Sequence, residues 1–133
     1  MKKELQNKLF ESYPKIFRQR GLDMTVTAMC YGIACGDGWY SLIDTMCGNI
    51  KNQMDNANRN KPEEEHVVCE ATQVKEKFGG LRFYVQGSDE FIDGIIDLAE
   101  SMSYQICSQC GNASTPNEKK RGWIYTLCDN CRE

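Results

Sequence analysis

Apolar residues recur with helical spacing through the middle of the chain. From Trp39 they fall at Leu42, Ile43, Met46, Cys47, Ile50 and Met54, one face of a helix of about 3.6 residues per turn. Asp37 stands where an N-cap belongs. The polar run 55–65, which contains Pro62, predicts a frayed helix end followed by an exposed loop. A second helix is announced by Ser88 as cap and by Asp89 and Glu90, acids favoured at a helix start. Phe91, Ile92, Ile95, Ile96, Ala99 and Met102 then recur at helical spacing. Both stripes read as core-facing.

Between these helices the pattern reads as two strands, 67–78 and 81–86. Gly79-Gly80 joins them, a pair that accepts the positive φ angles of a two-residue hairpin turn. That turn pairs Phe78 with Leu81, Lys77 with Arg82, Glu76 with Phe83, Lys75 with Tyr84 and Val74 with Val85. Val74, Phe78, Leu81, Phe83 and Val85 then form the core face. Lys75, Lys77, Arg82 and Tyr84 form the other. Residues 2–10 look helical up to the break at Pro14, and 24–35 reads as strand or loop. The expected fold class is α+β: two amphipathic helices packed on a β-hairpin or small antiparallel sheet, with Trp39, Phe83, Ile95 and Ile96 in one core.

Composition adds limits. At 133 residues, 41% hydrophobic and 26% charged, the chain has room for one core with an appendage. No apolar run approaches the roughly 20 residues needed to span a bilayer, and no apolar stretch follows the charged start Met1 to Lys8. A cytoplasmic location is expected. The net charge of −3 gives no whole-molecule pull toward nucleic acid, yet residues 1–20 carry +4 and 88–106 carry −5. Any polyanion contact must be local.

Eight cysteines in a chain without an apparent export signal point to metal ligation or buried thiols rather than disulfides. Cys107, Cys110, Cys128 and Cys131 form C-x2-C-x17-C-x2-C. A two-residue spacer lets both thiolates of a pair turn toward one ion, and two pairs complete the four-sulfur shell that zinc prefers. Gly111 follows Cys110, where a tight turn is needed, and Trp123 to Thr126 is strand-like. This predicts a zinc-ribbon-like segment at 107–133 attached to an α+β core at 1–106, with one structural zinc ion. Four unligated thiols are the bland alternative. Cys30, Cys35, Cys47 and Cys69 are irregularly spaced and read as buried thiols, with a second metal site including His66 as the minority reading. His66 itself, beside Glu63-Glu64-Glu65, reads as part of a solvated loop.

Lys75, Lys77, Arg82 and Tyr84 suit an anion-binding or partner-binding face, since like charges across a ladder cost stability unless an anion separates them. A solvated outer face is the alternative. Arg121, Trp123 and Tyr125 on the ribbon form the next surface to consider.

Three stretches together resemble short uncharacterised proteins encoded by tailed bacteriophages and prophages. They are Cys35-Gly36-Asp37-Gly38-Trp39; Gln73 to Tyr84 with its Lys-Phe-Gly-Gly-Leu-Arg centre; and Cys107 and Cys110 followed by Trp123-Ile124 and Thr126-Leu127-Cys128. The resemblance covers most of 35–131 and implies a phage or prophage origin and a zinc-binding C-terminus, but no activity. The leading expectation is a non-enzymatic, zinc-stabilised binding protein that engages a host protein or nucleic acid, with phage counter-defence as one setting for it. A nucleotide- or phosphate-binding protein is the second reading, although no glycine-rich phosphate loop leads into a helix. A metal-dependent nuclease is the third, and a single histidine argues against it.

Overall fold

The computed structural model describes residues 1–119 and 122–132, with the side chains of 118 and 119 left aside. Helix α1 (Lys3–Ser12) is built of good helix formers and stops ahead of Pro14, where the Tyr13 N–H closes on the Leu9 carbonyl at 2.9 Å. A short strand β1 (Ile33–Ala34) precedes α2 (Tyr40–Asn58), which is followed by the hairpin β2 (Glu70–Lys77) and β3 (Gly80–Gln86). Helix α3 (Glu90–Ser103) and a second hairpin, β4 (Pro116–Lys119) and β5 (Trp123–Thr126), complete the order. Single turns of 3-10 helix lie at Arg18–Gly21, Ala28–Tyr31, Asp37–Trp39 and Glu63–Glu65.

The fold is α+β, as the patterning predicts. Its main sheet has the order β1-β2-β3 and is mixed, because β1 runs parallel to β2 through Ile33 opposite Val74. The pair β4-β5 forms a separate antiparallel sheet. The inner sheet face contributes Ala71, Val74, Leu81 and Phe83 to a core shared with Leu9, Phe17, Trp39, Ile43, Ile50, Ile92 and Ile96. Ile95 packs against that core half-buried. Among the described residues no helix is long and apolar enough to cross a membrane.

Several local expectations change. Asp37 does not cap α2: a 3-10 turn intervenes, and the Asp37 carboxylate accepts the Lys2 N–H at 2.7 Å. Asp89, not Ser88, caps α3 by accepting the Ile92 N–H at 2.8 Å. The segment 24–35 gives a 3-10 turn and only two strand residues. Phe91, Leu98 and Met102 of α3 face outward, so half of its apolar stripe stays outside the core.

The hairpin register also moves. The turn is Phe78-Gly79, with φ of 53° and 82°, rather than Gly79-Gly80. Lys75 therefore lies opposite Arg82, Lys77 opposite Gly80, Glu76 opposite Leu81, Val74 opposite Phe83 and Gln73 opposite Tyr84. Both glycines are used for close approach. A Cβ on Gly80 would lie 2.3 Å from the Tyr104 ring, and one on Gly79 would press on Ile124 and Thr126. Each residue exchanges its partner for one two places away, which preserves the period-2 alternation and keeps every side chain on its predicted face. Phe78 is the exception, carried out of the core to the exposed tip.

The outer edge of β3 is occupied by side chains of α3. The Leu81 N–H donates to Ser103 Oγ at 2.9 Å and the Phe83 N–H to Glu100 Oε2 at 2.8 Å.

Candidate functional site

The four C-terminal cysteines converge. Their sulfurs all lie within 4.8 Å of one another, and Cys110 and Cys128 are 3.5 Å apart. An ion with four metal–sulfur bonds of about 2.3 Å holds its sulfurs about 3.8 Å apart, so the cluster fits a tetrahedral thiolate shell with little adjustment. Each knuckle is built by backbone turns. Gly111 N–H returns to the Cys107 carbonyl at 2.9 Å, with Gly111 at φ 84°, and Cys131 N–H returns to the Cys128 carbonyl at 3.0 Å. The turn on the first knuckle is the one the glycine after Cys110 predicts.

The electrostatics favour metal ligation. Burial opposes ionisation of Cys107, but the backbone amides of Cys128, Cys110 and Gln109 outweigh it and bring the thiol down to about 6. Cys131 is pushed up to about 12, first by its hydrogen bond with Cys128. Four sulfurs this close cannot all ionise without a cation among them.

The first knuckle is seated on the core through close backbone contacts. Gly38 N–H donates to the Ser108 carbonyl at 2.9 Å, and Trp39 Nε1 donates to the Ile106 carbonyl at 2.8 Å. A Cβ on Gly36 would lie 2.0 Å from the Ser108 carbonyl oxygen, and one on Gly38 2.2 Å from that of Cys107. The second knuckle is tied to the hairpin tip: buried Thr126 donates its hydroxyl to the Gly79 carbonyl at 2.6 Å, and the Ser108 N–H reaches the Thr126 carbonyl at 2.9 Å. Gly36 and Gly38 of Cys35-Gly36-Asp37-Gly38-Trp39 thus seat the first cysteine knuckle, a role that their distance from it in sequence hides.

The other cysteines stay apart from this cluster. Cys35, Cys47 and Cys69 are buried and Cys30 is half-buried, all as free thiols. Burial pushes Cys35 and Cys69 up to about 12 and raises Cys47. His66 directs Nε2 to the Lys61 carbonyl at 2.9 Å in the polar loop.

Lys75, Lys77, Arg82 and Tyr84 share the outer face of the main sheet. Lys75 and Arg82 are half-buried cross-strand neighbours, and Lys77 and Tyr84 are exposed. None of the three cations is in an ion pair among the described residues. Arg82 is held further toward its charged form by a hydrogen bond with Tyr104 and then by the charges of Tyr104, Glu100 and Tyr84. Lys77 Nζ lies 5.6 Å from the centre of the Phe78 ring. Phe78 stands exposed at the hairpin tip, where the neighbouring Gly79 lies against Ile124. Of the ribbon surface, Arg121 lies outside the described residues and Tyr125 is half-buried.

A part-buried ion pair at the start of β2 was not visible in the sequence. Arg18 grips Glu70 with both Nε and Nη2, and Gln19 and Gln86 each donate to Glu70 Oε1 at 3.2 Å. Arg18 lies 52 residues from Glu70, and nothing in either local pattern signals the meeting.

Comparison of the chain with protein-family models, with curated proteins and with solved structures finds no match.

Proposed function

We propose that the chain is a binding protein rather than an enzyme, stabilised by zinc at Cys107, Cys110, Cys128 and Cys131, and that it holds a phosphate-bearing partner on the outer sheet face. Four thiolates at tetrahedral spacing suit zinc among the common first-row ions, and a shell filled by four protein sulfurs leaves no position for water or substrate. The ion's role is then structural.

The observation that carries the binding reading is the Lys75–Arg82 pair. Two cations directly opposite on a ladder repel each other, a cost that a bound phosphate converts to a gain. Tyr84 and Phe78 supply exposed rings beside them, which matches how single-stranded nucleic acid is held: cations along the backbone and aromatic faces under the bases. Single-stranded nucleic acid is therefore the partner that fits best. The resemblance to phage proteins extends the proposal to a nucleic acid of the infected cell.

Fluorescence anisotropy with a labelled single-stranded oligonucleotide tests this. Affinity should fall with rising salt, and Lys75→Glu with Arg82→Glu should weaken it by about tenfold or more while zinc content and melting temperature hold. Competition by a mononucleotide at similar affinity would shift the assignment to a nucleotide-binding protein. Binding that survives the double reversal would remove this face from the proposal.

A further inference from the structure

The charge of the outer sheet face changes sign across it. Lys75 and Lys77 stand on β2, and Arg82 and Tyr84 on β3, the strand beside α3. Beyond β3 the cations give way to acids. Arg82, Tyr84 and Val85 line a groove of about 480 Å³ whose far wall is Asp93, Asp97 and Glu100 of α3. At about 100° per residue these three carboxylates fall within an arc of about 60°, so one side of the helix presents them all. Helix α3 contains no lysine or arginine to offset them.

The three carboxylates are differently engaged. Asp93 accepts the Ser88 hydroxyl at 2.5 Å, and Glu100 accepts the Phe83 N–H at 2.8 Å. Asp97 is exposed and takes part in no ion pair among the described residues. Arg82 stands between the two signs, with Nη1 donating to the Leu81 carbonyl at 3.1 Å. Tyr84, 42% exposed, belongs both to the cationic face and to the groove.

We infer, resting on the single-stranded reading above, that a bound strand lies with its phosphates over β2 and its bases turned into the β3–α3 groove, where Asp97 selects bases that carry an exocyclic amino group. Charge sets the orientation. A phosphate gains from Lys75 and Lys77 and is repelled by the carboxylates on the far side of β3. An uncharged base meets no such repulsion, and Tyr84 offers it a ring to stack on. Hydrogen bonding then sets the preference. An ionised carboxylate only accepts, so it pairs with the amino group of cytosine, adenine or guanine. Thymine and uracil present a carbonyl oxygen where cytosine has its amino group, and two acceptors face to face repel.

The test compares the affinity of the full chain for oligo-dC and oligo-dT of equal length near neutral pH, two pyrimidine strands of the same charge. Oligo-dC should bind about fivefold tighter or more, the scale of a base-edge contact. Asp97→Ala should bring the two affinities together, through a lost bond to cytosine and a relieved repulsion of thymine. Because Asp97 is exposed and alanine is the better helix former, the variant should melt no lower than the parent. Glu90→Ala makes the same charge change on α3 outside the groove and should leave the ratio as it is in the parent. Lys75→Gln should weaken both strands alike, as expected of a phosphate contact. Equal affinity for the two strands in the parent, a ratio that survives Asp97→Ala, or one that Glu90→Ala erases equally overturns the inference and leaves the face as an unselective single-strand site. Failure to bind either strand overturns the single-stranded reading itself and the orientation with it.

Discussion

Trp39 donates its indole N–H to the carbonyl of Ile106, the residue immediately before the first cysteine of the cluster, at 2.8 Å. The largest fully buried side chain of the core is therefore bonded directly to the base of the first cysteine knuckle. Trp39→Phe keeps most of the packing but leaves that carbonyl short of a donor. It should cost about 1–3 kcal/mol in urea unfolding. The variant should also lose metal to a chelator faster than the parent. An unchanged release rate would show that the bond serves the core alone.

Metal removal should be felt beyond the ribbon. Native mass spectrometry should count one ion per chain, and Cys110→Ser should lower that count. In a Trp123→Phe background, chelation should shift the Trp39 emission, because 36–39 rest on the first knuckle. A metal-free protein with unchanged near-UV circular dichroism would contradict this.

Two glycines should respond to alanine with opposite signs. At Gly38 the new methyl would meet the Cys107 carbonyl oxygen at 2.2 Å and the Gly111 nitrogen at 2.6 Å, both backbone atoms that cannot swing away. Gly38→Ala should destabilise the fold and weaken metal retention together. Gly94 lies inside α3, and a methyl added there would meet nothing within 4 Å, so Gly94→Ala should raise stability by about 1 kcal/mol. Thermal melts of the two variants check both signs.

Phe78 holds φ of 53° at the hairpin tip, a left-handed conformation that costs a bulky residue about 1–2 kcal/mol. Phe78→Asn should therefore raise the melting temperature. If the exposed ring contributes to oligonucleotide stacking, the same variant should bind more weakly, so stability and affinity would move in opposite directions.

Acid should act through Glu70. The Arg18 guanidinium, with help from Gln19 and Gln86, holds this carboxyl below its ordinary 4.5 although burial opposes it. The fold favours the ionised form, so this contribution is complete above the ordinary value and is lost as pH falls through the lower folded one. Glu76 has the opposite sign. Burial raises it despite a hydrogen bond from Ser108, and the folded state therefore gains relative stability from this group as pH falls. Urea midpoints at neutral pH and at about pH 3.5 should show the parent losing stability in acid. Glu70→Gln should lose less across the same interval.

The α+β class, both long helices, the hairpin and the four cysteines were legible in the sequence because each follows from spacing within a few turns of chain. What escaped it was set by contacts distant in sequence. Phe78-Gly79 and Gly79-Gly80 were both available as turns, and the choice depends on Tyr104 and Ile124 closing on the glycines. The outward half of the α3 stripe has the same periodicity as the buried half. Only the position of α2 separates them. The seat of the knuckle on Gly36 and Gly38 spans some 70 residues and leaves a local trace only in two small residues beside a tryptophan.

The way the main sheet ends bears on how the protein behaves when crowded. An open strand edge is a template on which another chain can pair, the first step of aggregation. On the β3 side Ser103 and Glu100 already satisfy the amides of Leu81 and Phe83, and a carboxylate stands where an incoming strand would have to lie. On the other side β1 is two residues long, too short to support a stable ladder. Strand addition to the main sheet is thus discouraged at both of its margins.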